Sequence, residues 1–282
     1  MFKGIRISAA AFVFAASLAG VSNAQAVMPG FNSNNLGATD DGSKAASIGF
    51  NVNFFGTTYN QLYVNNNGNV TFGYADSAYT PYTLNAATSV PMIAPFFADV
   101  DTMVSGSGTA AYGTGTVNGN AAFGVTWTNV GYFGESSAAN QSNTFQVLLI
   151  DRPDLGAGDF DIEFNYDKIQ WETGSFSGGT NGLGGLSAIA GYTDGSGNPA
   201  NYYELPGSGI NGALVDGGPD SLTSDSNYGV TGSYIFTMNN SDGSPFDDLP
   251  DSVPQPAPFG SVLVLFGAVF AFKLIRRKSQ QV

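Results

Sequence analysis

The chain has 282 residues, contains no cysteine or histidine, and carries 22 acidic against nine basic residues, for a formal charge of −13. These absences exclude a disulfide framework, thiolate and Ser-His-Asp catalysis, Cys-ligated zinc and histidine metal centres. The acidic excess argues against a nucleic-acid partner, because such a surface repels phosphate backbones.

Apolar residues make up 43% and aromatics 13%, ample for a packed core, and the 38 glycines and 13 prolines suit short strands joined by tight turns. Six of the nine bases cluster at the ends, as Lys3 and Arg6 and as Lys273, Arg276, Arg277 and Lys278. Between them Lys44, Arg152 and Lys168 face all 22 acids. That surface attracts divalent cations or basic partners, or keeps the chain soluble.

Residues 1–26 have the build of a secretory signal peptide: Lys3 and Arg6 first, then an apolar stretch over 9–21, then Ala24-Gln25-Ala26 as an A-x-A cleavage site. The mature chain is expected to begin near Val27. Residues 50–55 (FNVNFF) alternate as a strand. Residues 61–64 and 69–72 form a hairpin around Asn65-Asn66-Asn67-Gly68, whose residues accept positive φ. Residues 92–97 (MIAPFF) read as a strand that Pro95 places at an edge or a strand end. Strands follow at 122–127 and 129–133.

The longest alternation runs from 143 to 164. Phe145, Val147 and Leu149 share one face of the first strand, and Phe160, Ile162 and Phe164 share one face of the second. Asp159, Asp161 and Glu163 take the opposite side, which solvated surface or a bound cation would explain. Segments at 187–192, 202–205 and 232–238 complete the series. No amphipathic helix is read. The fold class is all-β, a single sandwich-like or barrel-like antiparallel domain over residues 27–240.

Residues 241–252 (SDGSPFDDLPDS) form an acidic, Pro-broken linker. Residues 253–282 then carry Val253-Pro254-Gln255-Pro256, an apolar run over 259–272 and the Arg276-Arg277-Lys278 cluster. A helix over 259–275 would measure about 25 Å against a hydrocarbon core of ~30 Å, with Lys273 snorkelling. Such a transmembrane helix would leave the body outside the inner membrane and the basic end in the cytoplasm.

Proline motif, apolar helix and terminal arginines in that order resemble the PEP-CTERM sorting signal of Gram-negative bacteria. The resemblance implies an exosortase-type processing enzyme acting on the tail. Gln255 stands where that motif has Glu, which leaves open a cleaved or a membrane-anchored product. Across the body, IAPFFADVDT (93–102), GVTWTNVGYF (124–133), NTFQVLLI (143–150), FNYDKIQWETG (164–174), AGYTDG (190–195), LPGSG (205–209) and SNYGVTGSYIF (226–236) resemble the NIDO (nidogen-like extracellular) domain. The upstream hairpin often precedes that domain. The resemblance implies cell-matrix or cell-surface adhesion with no catalytic activity attached, and a matrix or surface polymer, protein or polysaccharide, as partner. It names no ligand.

Asp99 and Asp101 project to one side at period-two spacing after an apolar strand. Two readings fit them: Ca²⁺, which takes six to eight oxygens, or a strand-end loop whose acids accept backbone N–H bonds. The loop 194–204 is a weaker calcium candidate. Trp127 and Trp171 read as core. Tyr74, Tyr79, Tyr82, Tyr202 and Tyr203 suit either saccharide stacking or strand propensity. For an enzyme, only Glu135, Glu163, Glu172 and Glu204 as glycosidase carboxylates or a Ser-Lys pair would remain. Lys44 and Lys168 have no neighbouring Ser motif. The sequence thus points to an exported, non-catalytic surface or matrix protein acting in adhesion or within a biofilm matrix. A calcium-dependent saccharide-binding module is the alternative, and a matrix glycosidase a more remote one.

Overall fold

Alternating apolar and polar side chains, interrupted by glycine-rich turns, make thirteen strands and no helix among residues 27–239, which the computed structural model describes. In chain order they are β1 (Asn34–Asn35), β2 (Ser43–Phe54), β3 (Thr57–Asn65), β4 (Asn69–Thr71), β5 (Met92–Phe97), β6 (Val100–Asp101) and β7 (Ala110–Val117). There follow β8 (Asn120–Tyr132), β9 (Asn143–Asp151), β10 (Phe160–Lys168), β11 (Ile189–Thr193), β12 (Tyr202–Glu204) and β13 (Ser233–Met238). The leader, linker and tail read from the sequence lie outside the described residues.

One sheet runs β1-β7-β8-β9-β10-β13, with β6 joined to β8; the other runs β12-β11-β5-β4-β3-β2. All these pairings are antiparallel. Two separate sheets facing across one core make a sandwich and remove the barrel alternative. Phe96 meets Phe145 at 5.3 Å between the sheets, Phe54 meets Phe160 at 6.4 Å, and Tyr192 meets Phe236 at 5.3 Å. Trp127 and Trp171 are fully buried, as expected.

The long pair forms in the register its alternation demands: Leu149 opposite Ile162, Val147 opposite Phe164 and Phe145 opposite Tyr166, all on the core face. Pro95 departs from expectation. Its strand β5 lies inside the sheet, between β4 and β11. The missing N–H is tolerated because β4 pairs no further than Val70 with Ile93, and because β11 bulges between Ile189 and Gly191. The segments 122–127 and 129–133 are one strand, β8, kinked where Asn129 takes φ of 50°.

The acids in and just before β10 also depart from expectation. Asp159, Asp161 and Glu163 are buried, and β10 is not an edge strand. Arg152 Nη1 donates to Asp161 Oδ2 at 2.8 Å and Thr237 Oγ1 to Asp161 Oδ1 at 2.7 Å. On this outer face Gly113, Gly124, Leu148, Glu163 and Ile235 stand opposite one another in a single cross-strand row. Residues 27–33 lie over that face as a strap. Phe31 packs with Leu148 and Ile150, where a Cβ on Gly124 would come within 2.6 Å of the Phe31 ring.

Candidate functional site

The asparagine hairpin between β3 and β4 organises one end of the sandwich. Gly68 has φ of 74°, and a Cβ there would overlap the Phe96 carbonyl oxygen, so the turn presses directly on β5. Asn66 Nδ2 donates to the carbonyls of Asp40 and Val100. Asn67 Nδ2 donates to Asp41 Oδ1 at 2.8 Å and to Ala78 O at 3.1 Å, while its Oδ1 accepts Val100 N at 3.0 Å. Thr102 Oγ1 accepts Thr39 N at 2.8 Å and donates to Thr39 O at 2.7 Å. Trp127 Nε1 donates to Asn66 O at 2.9 Å.

This frame places Asp40, Asp41, Asp99 and Asp101 in one electrostatic group. Asp99 is 2% exposed, and its Oδ2 has no hydrogen-bond partner. It faces Gly174, where a side chain would collide with the carboxylate. Burial, and then the charges of Asp40, Asp41 and Asp101, push the Asp99 pKa up to about 7. Asp40 Oδ1 is likewise buried without a partner, and burial, Asp41 and Asp101 raise that carboxyl to about 6. Asp101 instead accepts Met103 N at 2.7 Å, the strand-end arrangement read as one of its two alternatives. Among the described residues no three Asp, Glu, His or Cys side chains stand together as a ready-made metal cage.

An aromatic rim adjoins the acids. Phe133 N donates to Asp99 O at 3.1 Å, and Ser175 N to Phe133 O at 2.9 Å. Phe176 stacks on Phe133 at 4.5 Å, lies 6.2 Å from Tyr79, and is 70% exposed. Thr80 Oγ1 and Ser177 Oγ, 3.0 Å apart, tie the two loops together. An exposed stacking face beside partly neutral carboxyls can bind a polyhydroxylated or cationic ligand.

The structure brings Asp99 and Asp101 together and adds Asp40, Asp41, Phe133 and Phe176, which the sequence reading passed over. A bulky phenylalanine alone in the Gly/Ser-rich stretch SFSGG was the available signal for Phe176. Other candidates scatter. Tyr74 and Tyr79 are exposed, whereas Tyr82, Tyr202 and Tyr203 are half-buried. Glu172 is buried and accepts Gly212 N at 2.6 Å and Leu214 N at 2.7 Å. Glu204 accepts Leu84 N at 2.5 Å, and Asp194 accepts Ser196 N at 2.8 Å. Lys168 Nζ donates to Ser142 Oγ at 2.7 Å and to Asn129 Oδ1 at 2.8 Å.

Residues 60–240 match the family model described as the nidogen-like domain, NIDO. Alpha-tectorin of Homo sapiens is 36% identical over 191 residues, covering 60% of this chain and 8% of that protein. Alpha-tectorin of Gallus gallus is 31% identical over 230 residues, 73% of this chain and 10% of the relative. Nidogen of Drosophila melanogaster is 30% identical over 213 residues, 66% and 14% respectively. The chain therefore spans 8% to 14% of the length of these relatives. No solved structure matches it.

Proposed function

The chain belongs to the nidogen-like domain family, and on that premise we propose that it is an exported, non-catalytic protein of the cell surface or extracellular matrix, mediating cell-matrix adhesion. The carrying observation is the family match over residues 60–240, which takes in strands β4 to β13 and the last six residues of β3. Its working surface is the loop end where Phe176 and Tyr79 stand exposed beside Asp99. In a Gram-negative cell the leader delivers the body across the inner membrane. The tail at 253–282 then holds it there until an exosortase-type enzyme acts, or keeps it anchored through Pro-Gln-Pro. Deleting the gene should reduce attachment and matrix retention in a biofilm, and unchanged attachment and matrix would reject this reading. Mass spectrometry of the mature C-terminus separates a released from a tethered product.

The unpartnered Oδ2 of Asp99 favours a second reading, calcium-dependent saccharide binding at the same loop end. Asp99 and Asp101 would be charged ligands, and backbone carbonyls would supply the remaining oxygens that Ca²⁺ takes. Calorimetry on EDTA-stripped protein should then show Ca²⁺ heat that Asp99→Asn abolishes, and exopolysaccharide retention that requires Ca²⁺. Absence of both removes this second reading and leaves the first.

A further inference from the structure

The strap over the outer face runs toward β10, whose buried Glu163 has no lysine or arginine partner among the described residues. It follows the cross-strand row strand by strand. Ser33 lies against Gly113 of β7, and Phe31 against Gly124 of β8, where a larger residue would block it. Met28 then reaches β9: its N donates to Gln146 Oε1 at 2.9 Å, and Gln146 Nε2 donates to Met28 O at 2.8 Å. Strands in a sheet lie about 4.8 Å apart, and one residue advances about 3.8 Å. Val27 adjoins Met28, and the Gln146 Oε1 that Met28 N binds lies 3.3 Å from Asn165 Nδ2 on β10, whose outward residues there are Glu163 and Asn165.

Asn165 Oδ1 calls for a donor, and the Glu163 carboxylate for a countercharge. Glu163 is 3% exposed, and its Oε1 accepts Asn165 Nδ2 at 2.9 Å. Among the described residues the ion pairs are those of Arg152 with Asp154 and Asp161, so no lysine or arginine pairs with Glu163. Asn165 Nδ2 also approaches Gln146 Oε1 at 3.3 Å, while Asn165 Oδ1 is buried without a partner. An unpaired buried carboxylate next to an unfilled acceptor is costly, and a cation with several N–H groups would satisfy both. Within an uncleaved chain Val27 offers a neutral amide with one N–H. As a chain start it offers an ammonium with three.

We propose that cleavage after Ala26 makes the missing cation: the α-ammonium of Val27 seats on Glu163 and Asn165 and locks the strap. The step consumes one water across the Ala26–Val27 peptide bond. The carboxylate departs with the leader, and the new amine takes up a proton. This inference rests on the leader reading, and the test separates the two.

The exported full-length protein is recovered and its first residue identified by mass spectrometry. It is then treated at neutral pH with limiting amine-acylating reagent. Val27 is expected as the first residue, with its α-amine acylated at least about tenfold more slowly than in Glu163→Gln, the effect of a one-unit rise in amine pKa. A second variant carries Ser-Gly inserted before Val27 and retained after export. Its α-amine should react at the fast rate, and adding Glu163→Gln should lower its melting temperature no further. If Glu163→Gln does not fold, wild type and the extended chain carry the same comparison. A first residue other than Val27 overturns the leader premise and the proposal with it. A Val27 start with equal acylation in all forms overturns the docking alone.

Discussion

Two buried polar clusters share one end of the sandwich and are built in opposite ways. In the hairpin every amide is used: Asn65 Nδ2 reaches Asn69 Oδ1 at 2.7 Å and Thr71 Oγ1 at 3.0 Å, and its Oδ1 accepts Ser43 Oγ at 2.7 Å. Beside it, Asp40 and Asp99 each keep a buried oxygen without a donor. An amide both gives and accepts, so a run of asparagines can close on itself, while an ionised carboxylate only accepts. Side by side, the first cluster holds the loops rigid and the second is left ready for a proton or a cation.

The largest effect should come from breaking the rigid cluster at its tightest point. Gly68→Ala, with φ of 74° and no room before Phe96 O, should cost about 4 kcal/mol or prevent folding. Gly73→Ala, with φ of 80° and open space around it, should cost about 1 kcal/mol. Equal losses in denaturant melts would mean that contact with β5 does not matter. Asn67→Ala, which unties Asp41, Ala78 and Val100, should cost about 3 kcal/mol by the same measurement.

The unsatisfied cluster should respond to pH. Asp99 holds its proton more tightly folded than unfolded, so the native state binds more protons between the ordinary value of 3.8 and about 7. Stability from this group is therefore greatest at the acidic end, falls as pH rises through that window, and levels off above it. Asp99→Asn should flatten the fall and stabilise the protein at pH 8 by on the order of 2 kcal/mol, leaving the smaller decline from Asp40. Melts at pH 5 and pH 8 that keep the wild-type difference would discount Asp99 as its source. Smallest in stability is Phe176→Ala, within about 0.5 kcal/mol. It should nevertheless weaken surface attachment, and full attachment would move the working surface elsewhere.

Period-two alternation made the long strand pair legible, because one face of each strand carries the large apolar side chains that meet the core: Phe145, Val147 and Leu149 found their partners as read. It failed where burial has another cause. Glu163 looks like a solvent residue because its neighbours in sequence are apolar, yet it is buried between Leu148 and Ile235, with Tyr228 of a distant loop near it. AAYGTGTV in β7 was missed because Gly113 and Gly115 leave blanks in the pattern, and those blanks are what admit Ser33 and Phe31. At the site, Asp99 and Asp101 were visible from local spacing. Asp40, Asp41 and Phe176 come from distant loops, and their meeting is written only in the turn geometry that joins them.

The two sheets are joined by side-chain hydrogen bonds in place of a covalent bridge. The Trp127 indole binds Asn66 O at 2.9 Å, and the Tyr166 hydroxyl binds Pro95 O at 2.7 Å, each reaching across the core to the backbone opposite. With no sulfur crosslink to form, this fold reaches its final state without an oxidant. It can mature in oxidising or reducing surroundings alike, and dithiothreitol should leave its melting temperature unmoved.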